Sequence, residues 1–192
     1  MRLFVAVDLD DTVRRAAGRV ARNVRDTLER AEMYGVSWVA PDNFHLTLRF
    51  LGEVADEVAL RVQEVLAPPF AVAPFDVALG GVGVFPPAGA ARVIWLGVHE
   101  GLEELTSLHR EVEERLAPLA FAPDERAYRA HLTVARFRVP APARVRQLIA
   151  AGEAPSIGRC PVSHLTLYRS RLSPKGATYT ALVRSALGGA HR

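Results

Sequence analysis

His45-Leu46-Thr47-Leu48 has a near copy close to half the chain later, His131-Leu132-Thr133-Val134. In a β-strand successive side chains point to opposite faces, so the histidine and threonine of each copy share one face. The two apolar residues share the other face and can be buried. Each copy therefore predicts a strand that presents one imidazole and one hydroxyl, and we call the two copies the paired motifs.

The paired motifs predict a site for acid–base chemistry on a phosphodiester. If the two strands lie side by side, one imidazole can take a proton and the other can give one. The hydroxyls can donate hydrogen bonds to phosphate oxygens. One copy of so short a pattern is explained as well by a core strand that contains His and Thr by chance. Two copies at equivalent places favour the functional interpretation.

The elements around the paired motifs repeat in one order: strand, helix, motif strand, helix, strand. This order indicates an internal duplication, with repeats of roughly 1–90 and 91–192, whose pseudo-twofold arrangement brings the motif strands to one groove. No linker separates the halves, so we expect a single two-lobed domain over 1–192. In chain order we predict strand 3–9, a helix from Asp10 or Asp11, strand 44–51, a helix from Asp56, extended segment 75–85, strand 92–98, helix 101–117, the second motif strand, helix 141–151, extended segment 161–172, a turn at 173–176 and strand 177–186.

Composition favours a globular domain. The chain has 192 residues, of which 49% are hydrophobic, and no apolar run approaches the ~20 residues of a membrane span. The opening residues 1–8 resemble a strand that ends in an acid rather than a signal peptide. Cys160 is the only cysteine, which excludes an internal disulfide and a cysteine-based zinc site. We therefore expect a protein of the reducing cytoplasm.

The charge pattern favours a local anionic substrate. The net charge of +3 is too small for broad, nonspecific coating of nucleic acid. Lys175 is the only lysine, and every other basic residue is an arginine, whose planar fork of donors suits phosphate. Codon bias explains the arginine preference equally well.

A third copy of the motif, His164-Leu165-Thr166-Leu167, occupies a different place in the repeat. It falls in the last strand of its unit, where the first half has no histidine. We therefore predict a structural or rim position for His164, the alternative being a contact with substrate near the groove. His109 lies off the apolar stripe of its helix and is expected at the surface, and His191 is expected in a frayed tail.

The chain resembles the two-histidine (2H) phosphoesterase superfamily, and within it the bacterial and archaeal RNA 2′,3′-cyclic phosphodiesterases, historically called 2′–5′ RNA ligases (LigT-like). The resemblance runs nearly end to end, and the whole set of motifs is specific although each alone is not. The segments that carry it are Met1-Arg2-Leu3-Phe4-Val5-Ala6-Val7-Asp8-Leu9, Phe44-His45-Leu46-Thr47-Leu48-Arg49-Phe50-Leu51-Gly52-Glu53, Ala130-His131-Leu132-Thr133-Val134-Ala135-Arg136-Phe137 and Leu167-Tyr168-Arg169-Ser170, followed by Gly176 and Tyr179.

The resemblance implies a bilobal α+β fold with two antiparallel sheets, flanked by helices, and the active groove between them. It implies hydrolysis of a terminal 2′,3′-cyclic phosphate on RNA, such as a tRNA fragment, to a 2′-phosphate. It also implies the reverse reaction, ATP-independent joining of RNA ends through a 2′–5′ bond. No metal or other cofactor is implied, and nothing in the sequence indicates a membrane or protein partner.

By the same resemblance, His45 donates a proton to the departing 3′-oxygen and His131 is the base that activates water. The symmetric repeat does not itself fix this order. Thr47 and Thr133 are expected to donate hydrogen bonds to the nonbridging phosphate oxygens.

Further substrate-binding candidates surround the paired motifs. Strict alternation puts Arg49 on the His45 face and Arg136 on the face opposite to its own motif histidine, whereas the family pattern favours Arg136 in the groove. A bulge or twist would reconcile the two. Phe50 is expected either to stack on the terminal base or to lie in the core. Tyr168 is expected either to line the groove or to be a solvated strand residue.

Other functions remain open at this point. A phosphodiesterase of small cyclic nucleotides, such as ADP-ribose cyclic phosphate, would use the same chemistry. A noncatalytic protein that binds RNA ends would use the same groove, although the intact histidines of both motifs argue against it. Metal-dependent hydrolysis lacks support, because no acidic residues and histidines cluster at ligand spacing.

Overall fold

The computed structural model describes residues 1–123, 127–142, 144–150, 155–174 and 176–188. Lys175, His191 and parts of the predicted helix 141–151 and turn 173–176 lie outside these residues. The described helices are α1 (Asp11–Arg30), α2 (Asp56–Leu66), α3 (Leu102–Leu116) and α4 (Arg144–Ala150). The described strands are β1 (Arg2–Asp8), β2 (Val36–Trp38), β3 (His45–Glu53), β4 (Phe75–Phe85), β5 (Ala91–Glu100), β6 (His131–Ala141), β7 (Ser156–Val162), β8 (His164–Ser173) and β9 (Gly176–Ala186).

Local sequence explains where these elements begin and end. Asp10 is the N-cap of α1, because its carboxylate accepts a hydrogen bond from the Val13 amide at 2.8 Å. The buried residues of α1 are Val13, Ala16, Ala17, Gly18, Ala21 and Leu28, which lie on one face of the helix. The predicted extended segment 161–172 is instead divided at Ser163 between β7 and β8. Short β2 was not predicted as a strand.

The strands form one antiparallel sheet in the order β7-β4-β5-β6-β3-β1-β8-β9, with β2 paired to β6. This confirms an α+β fold but differs from the expected two sheets. The sheet consists of two groups of four strands, β7-β4-β5-β6 and β3-β1-β8-β9. The groups are joined where β3 pairs with β6, at Leu46 and Leu132. This pairing satisfies backbone groups that two separate sheets would leave at open edges.

The two groups of strands do not coincide with the two halves of the chain. β4, from the first half, pairs with β5, and β8, from the second half, pairs with β1. Each group therefore takes strands from both halves. Leu46 and Leu132 are fully buried at the junction, and burial of such side chains contributes roughly 1.5–3 kcal/mol each. Among the residues described, no helix is both long and apolar enough to span a bilayer.

Candidate active site

The paired motifs lie on adjacent strands, β3 and β6, at the centre of the sheet. The four apolar residues of the motifs are buried, whereas the two histidines and two threonines are only partly buried. The alternation predicted from the sequence therefore holds within both motifs. One surface of the sheet carries the side chains of His45, Thr47, His131 and Thr133.

Both imidazoles are oriented in the same way by the backbone just before their strands. Nδ1 of His45 lies 2.8 Å from the Asn43 carbonyl, in the 3₁₀ turn Pro41–Asn43. Nδ1 of His131 lies 2.7 Å from the Arg129 carbonyl. Because a carbonyl only accepts, Nδ1 carries the hydrogen in each ring. The Nε2 atom is therefore the one left to take or give a proton.

The electrostatic surroundings of the two histidines are not the same. Burial lowers the pKa of both imidazoles, the carbonyl hydrogen bonds raise it, and the Arg136 cation lowers it. The Asp8 carboxylate raises the pKa of His45, and His131 lowers the pKa of His45. Asp8 thus favours the protonated form of His45, the histidine directly opposite it in the β1–β3 pairing.

A β-bulge in β6 turns Arg136 toward the histidine face. Compared with β5, β6 has one extra residue between Thr133 and Ala135, and consecutive residues Val134 and Ala135 are both buried. The alternation resumes out of phase after this point. Arg136 is exposed and lines the same groove as His131. Arg136 therefore lies in the groove, as the family pattern implies, and not on the opposite face that strict alternation predicts.

A matching bulge in β3 brings Phe50, rather than Arg49, to the face that carries His45. β3 has one extra residue, Leu48, between Thr47 and Arg49. Phe50 is 48% exposed and lines the groove. Arg49 instead lies against α3, with its Nε 2.7 Å from a Glu113 carboxylate oxygen. The prediction that Arg49 shares the His45 face is wrong, because strict alternation does not survive the bulge.

Both bulges have their carbonyl held by a donor distant in sequence. His109 Nδ1 lies 3.0 Å from the Leu48 carbonyl, and the Val39 amide donates to the Val134 carbonyl at 2.9 Å. The His109 ring also stacks on Tyr128, with centroids 4.5 Å apart. His109, expected at the surface, is half-buried and engaged in both of these contacts. The position of His109 off the apolar stripe of its helix did not indicate its contacts with Leu48 and Tyr128.

The groove is an open cavity of about 840 Å³. Its basic rim includes Arg92, which sequence reasoning missed because an exposed arginine at the start of a strand carries no distinguishing pattern. The lining residues that matter for the chemistry are Thr47, Phe50, Arg92, His131, Thr133 and Arg136.

Aromatic rings pack around His45. The Phe4 ring centroid lies 4.8 Å from that of His45, and the Tyr179 ring meets His45 edge-on at 5.4 Å. Tyr168 stacks on Phe4 at 5.3 Å and donates its hydroxyl hydrogen to Asp8 at 2.6 Å. Its hydroxyl is thus engaged inside the protein, and the residue supports the wall behind His45. The expected direct role of Tyr168 in lining the groove is not what these contacts favour.

The third motif surrounds Asp8. The Thr166 hydroxyl donates to Asp8 at 2.8 Å, and Nε2 of His164 lies 3.5 Å from the same carboxylate oxygen. Burial lowers the pKa of His164, the Arg184 cation lowers it further, and Asp8 raises it. His164 therefore lies on β8, two strands from His45, beside Asp8 and Arg184. Sequence reasoning noticed Asp8 only as the end of the first strand.

Among the described residues, no group of three or more His, Cys, Asp or Glu side chains could hold a metal ion. The donor sets of the groove are imidazole, hydroxyl and guanidinium, which are suited to proton transfer and to binding phosphate oxygens.

The chain is similar in sequence and in fold to several known proteins. Residues 4–174 match the model of the 2′-5′ RNA ligase superfamily. An RNA 2′,3′-cyclic phosphodiesterase of Archaeoglobus fulgidus is 40% identical over 182 residues, which cover 95% of this chain and 98% of the relative. The fold is similar to those of TT0787 of Thermus thermophilus (TM-score 0.77, 32% identity, 100% of both chains) and E. coli LigT complexed with 3′-AMP (TM-score 0.75, 26% identity, 98% of both chains). On these grounds, the chain belongs to the 2′-5′ RNA ligase superfamily.

Proposed function

We propose that this protein is an RNA 2′,3′-cyclic phosphodiesterase that hydrolyses a terminal cyclic phosphate to a 2′-phosphomonoester. The observation that carries this proposal is the pair of equivalent imidazoles, each with Nδ1 bound to a carbonyl and Nε2 free for proton transfer. The printed names of relatives such as the Archaeoglobus fulgidus protein support the same reaction.

In the proposed mechanism His131 is the base and His45 is the acid. Nε2 of His131 takes a proton from water as the water oxygen bonds to phosphorus. The bond from phosphorus to the 3′-oxygen breaks, and that oxygen takes the proton from Nε2 of His45. Asp8 supports this assignment, because its carboxylate favours the protonated form of His45 and is not among the groups that shift the pKa of His131. Each proton transfer contributes on the order of 10²–10⁴-fold to the rate.

The remaining candidates hold the phosphate and the terminal nucleoside. Thr47 and Thr133 donate hydrogen bonds to nonbridging oxygens, and Arg136 stabilises the charge that develops on them. Phe50, exposed at the groove, stacks on the terminal base. Arg49 has no place in this scheme, because it is paired with Glu113 on the other side of the sheet.

An RNA end fits the groove better than a small cyclic nucleotide does. The groove is open and has a volume of about 840 Å³. Its exposed Arg92 extends the positive charge beyond the reacting phosphate, where further backbone phosphates of an RNA such as a tRNA fragment would lie. We propose a cytoplasmic location, because a chain with a single cysteine fits a reducing compartment.

We further propose that the chain is one two-lobed domain that arose by internal duplication. The equivalent bulges at Leu48 and Val134, each directly after a motif threonine, support this origin. They give Phe50 and Arg136 matching places, each five positions after a motif histidine.

The reaction is tested with a short RNA that ends in a 2′,3′-cyclic phosphate, incubated with the protein in EDTA. The expected product carries a 2′-phosphate. A 3′-phosphate product would mean that the opposite ring oxygen departs and would overturn the assigned pose. Absence of RNA hydrolysis together with turnover of ADP-ribose cyclic phosphate would favour the small-nucleotide alternative. Binding without turnover of any cyclic phosphate would favour the noncatalytic one.

A further inference from the structure

The start of β9 lies beside the turn that precedes β3, although β1 and β8 separate these two strands in the sheet. The side chain of Asn43 donates from Nδ2 to the Ala177 carbonyl at 2.8 Å. The Tyr179 ring meets the His45 ring edge-on, with centroids 5.4 Å apart. The sheet therefore curls far enough for β9 to reach the surroundings of His45.

Asn43 connects β9 to His45 through a single residue. Its side chain binds the Ala177 carbonyl, and its own carbonyl accepts the hydrogen on Nδ1 of His45 at 2.8 Å. Its backbone amide donates to the Ala40 carbonyl, also at 2.8 Å, within the 3₁₀ turn. A residue held at both its amide and its side chain has little freedom to rotate, so the direction of its carbonyl is restricted as well. The bond to Ala177 thus bears on the orientation of the His45 imidazole.

The surroundings of His131 are only partly equivalent. An edge-on ring is present there too, since Phe85 meets His131 with centroids 5.0 Å apart. Nδ1 of His131 is bonded to the Arg129 carbonyl, and the side chain of Arg129 lines the groove. Within the described residues, the side-chain tie to a distant strand is found at His45, the histidine that we assign as the acid.

We propose that Asn43 is a positioning residue for the acid His45, and that β9 holds this arrangement through Ala177 and Tyr179. The inference rests on the proposed function and on His45 as the proton donor. A general acid must present its proton within hydrogen-bond distance of the departing oxygen. The Asn43 carbonyl and the Tyr179 ring hold the imidazole in one orientation, so that Nε2 need not first be aligned with the 3′-oxygen.

The test compares two leaving groups in Asn43→Ala, which removes the donor to Ala177 and leaves the backbone carbonyl in place. One RNA ends in the ordinary cyclic phosphate. In the other, sulfur replaces the 3′-oxygen, so the departing thiolate needs no proton. On the oxygen substrate kcat should fall about tenfold with KM little changed, since a general acid contributes on the order of 10²–10⁴-fold and is here only misaligned. On the sulfur substrate kcat should stay close to that of the wild type.

Asp42→Ala is the matched control, because Asp42 belongs to the same turn and is exposed. It should keep the wild-type kcat on both substrates. Equal losses on the two substrates in Asn43→Ala would overturn the inference, since a general structural defect is not selective for the leaving group. An Asn43→Ala variant that behaves like Asp42→Ala would overturn it too.

A second pair of variants applies if circular dichroism shows that Asn43→Ala does not fold. Tyr179→Leu removes the ring that meets His45, and Tyr179→Phe keeps it. Tyr179→Leu should lose kcat on the oxygen substrate and retain it on the sulfur substrate, and Tyr179→Phe should retain more activity on the oxygen substrate. A loss in Tyr179→Leu that is equal on both substrates would refute the role of β9.

The inference and the proposed function fail in different ways. A wild-type protein that hydrolyses neither substrate would refute the proposed function. A wild-type protein that hydrolyses both, with Asn43→Ala impaired equally on both, would refute the positioning role alone.

Discussion

At the scale of single residues, the two histidines are alike in hydrogen bonding and unlike in charge. Both donate from Nδ1 to a carbonyl, but only His45 lies opposite a carboxylate, that of Asp8. An acid that must hold a proton and a base that must lack one benefit from such a difference. The difference predicts separate effects of single substitutions on the two limbs of the pH–rate profile.

Asp8→Asn should narrow the active pH range from the alkaline side. The carboxylate raises the pKa of His45, so its removal lowers that pKa, and the acid loses its proton at a lower pH. The alkaline limb of kcat/KM should therefore move to lower pH while the acidic limb, set by His131, stays in place. Asp42→Asn, at an exposed carboxylate, is the matched control. An unmoved alkaline limb would contradict the role of Asp8.

Arg136→Gln should lower kcat/KM and move both limbs to higher pH. The Arg136 cation lowers the pKa of both histidines, so both pKa values rise when it is removed. Loss of a charge-assisted hydrogen bond to phosphate, roughly 1.5–3 kcal/mol, corresponds to about 10–100-fold in kcat/KM. Arg49→Gln, on the other face, should mainly lower the thermal midpoint, because it breaks the Glu113 pair. Equal losses of kcat/KM in the two variants would contradict the assigned faces.

At the scale of elements, the bulges decide which side chains reach the groove. The sequence was sufficient to place His and Thr of each motif on one face, since two-residue alternation holds over that short distance. It was not sufficient for Arg49, Phe50 and Arg136, which lie beyond the bulges. The carbonyls of Leu48 and Val134 are bonded by His109 and by the Val39 amide. Contacts between such distant positions have no local signature.

His109→Phe separates the two contacts of His109. The variant keeps a ring to stack on Tyr128 but loses the donor to the Leu48 carbonyl. We expect a loss of about 1 kcal/mol in the free energy of unfolding and a fall in kcat, because Phe50 is held less firmly. His109→Asn keeps a donor at the Nδ1 position and should retain more of the kcat.

Thermal unfolding and steady-state kinetics measure both effects, with the exposed Arg110→Ala on the same helix as the control. If His109→Phe and Arg110→Ala behave alike, the bulge does not depend on His109.

At the scale of the whole molecule, the exchange of strands ties the two halves of the chain together. The α+β class was implied by the family resemblance, and the meeting of the motif strands at one groove was predicted from the repeat. The single sheet did not follow. Which strand pairs with which is decided by packing across the whole molecule, as in the pairing of β4 with β5 and of β8 with β1.

The exchange predicts that the halves do not fold alone. Fragment 1–90 lacks β5 for its β4 and β8 for its β1, which would expose long unpaired strand edges. We expect the full chain to unfold in one transition that is the same by circular dichroism and by tryptophan fluorescence. Two separate transitions, or a cooperatively folded fragment 1–90, would show that the halves are independent units.

The assignment of acid and base is tested most directly with a substrate whose leaving group needs no proton. In an RNA that ends in a cyclic phosphate with sulfur in place of the 3′-oxygen, the departing thiolate is stable without protonation. His45→Ala should be severely impaired on the oxygen substrate and close to wild type on the sulfur substrate. His131→Ala should be impaired on both, since the water must still lose a proton. If the sulfur substrate restores the activity of His131→Ala but not that of His45→Ala, the assignment of His45 as acid and His131 as base is contradicted.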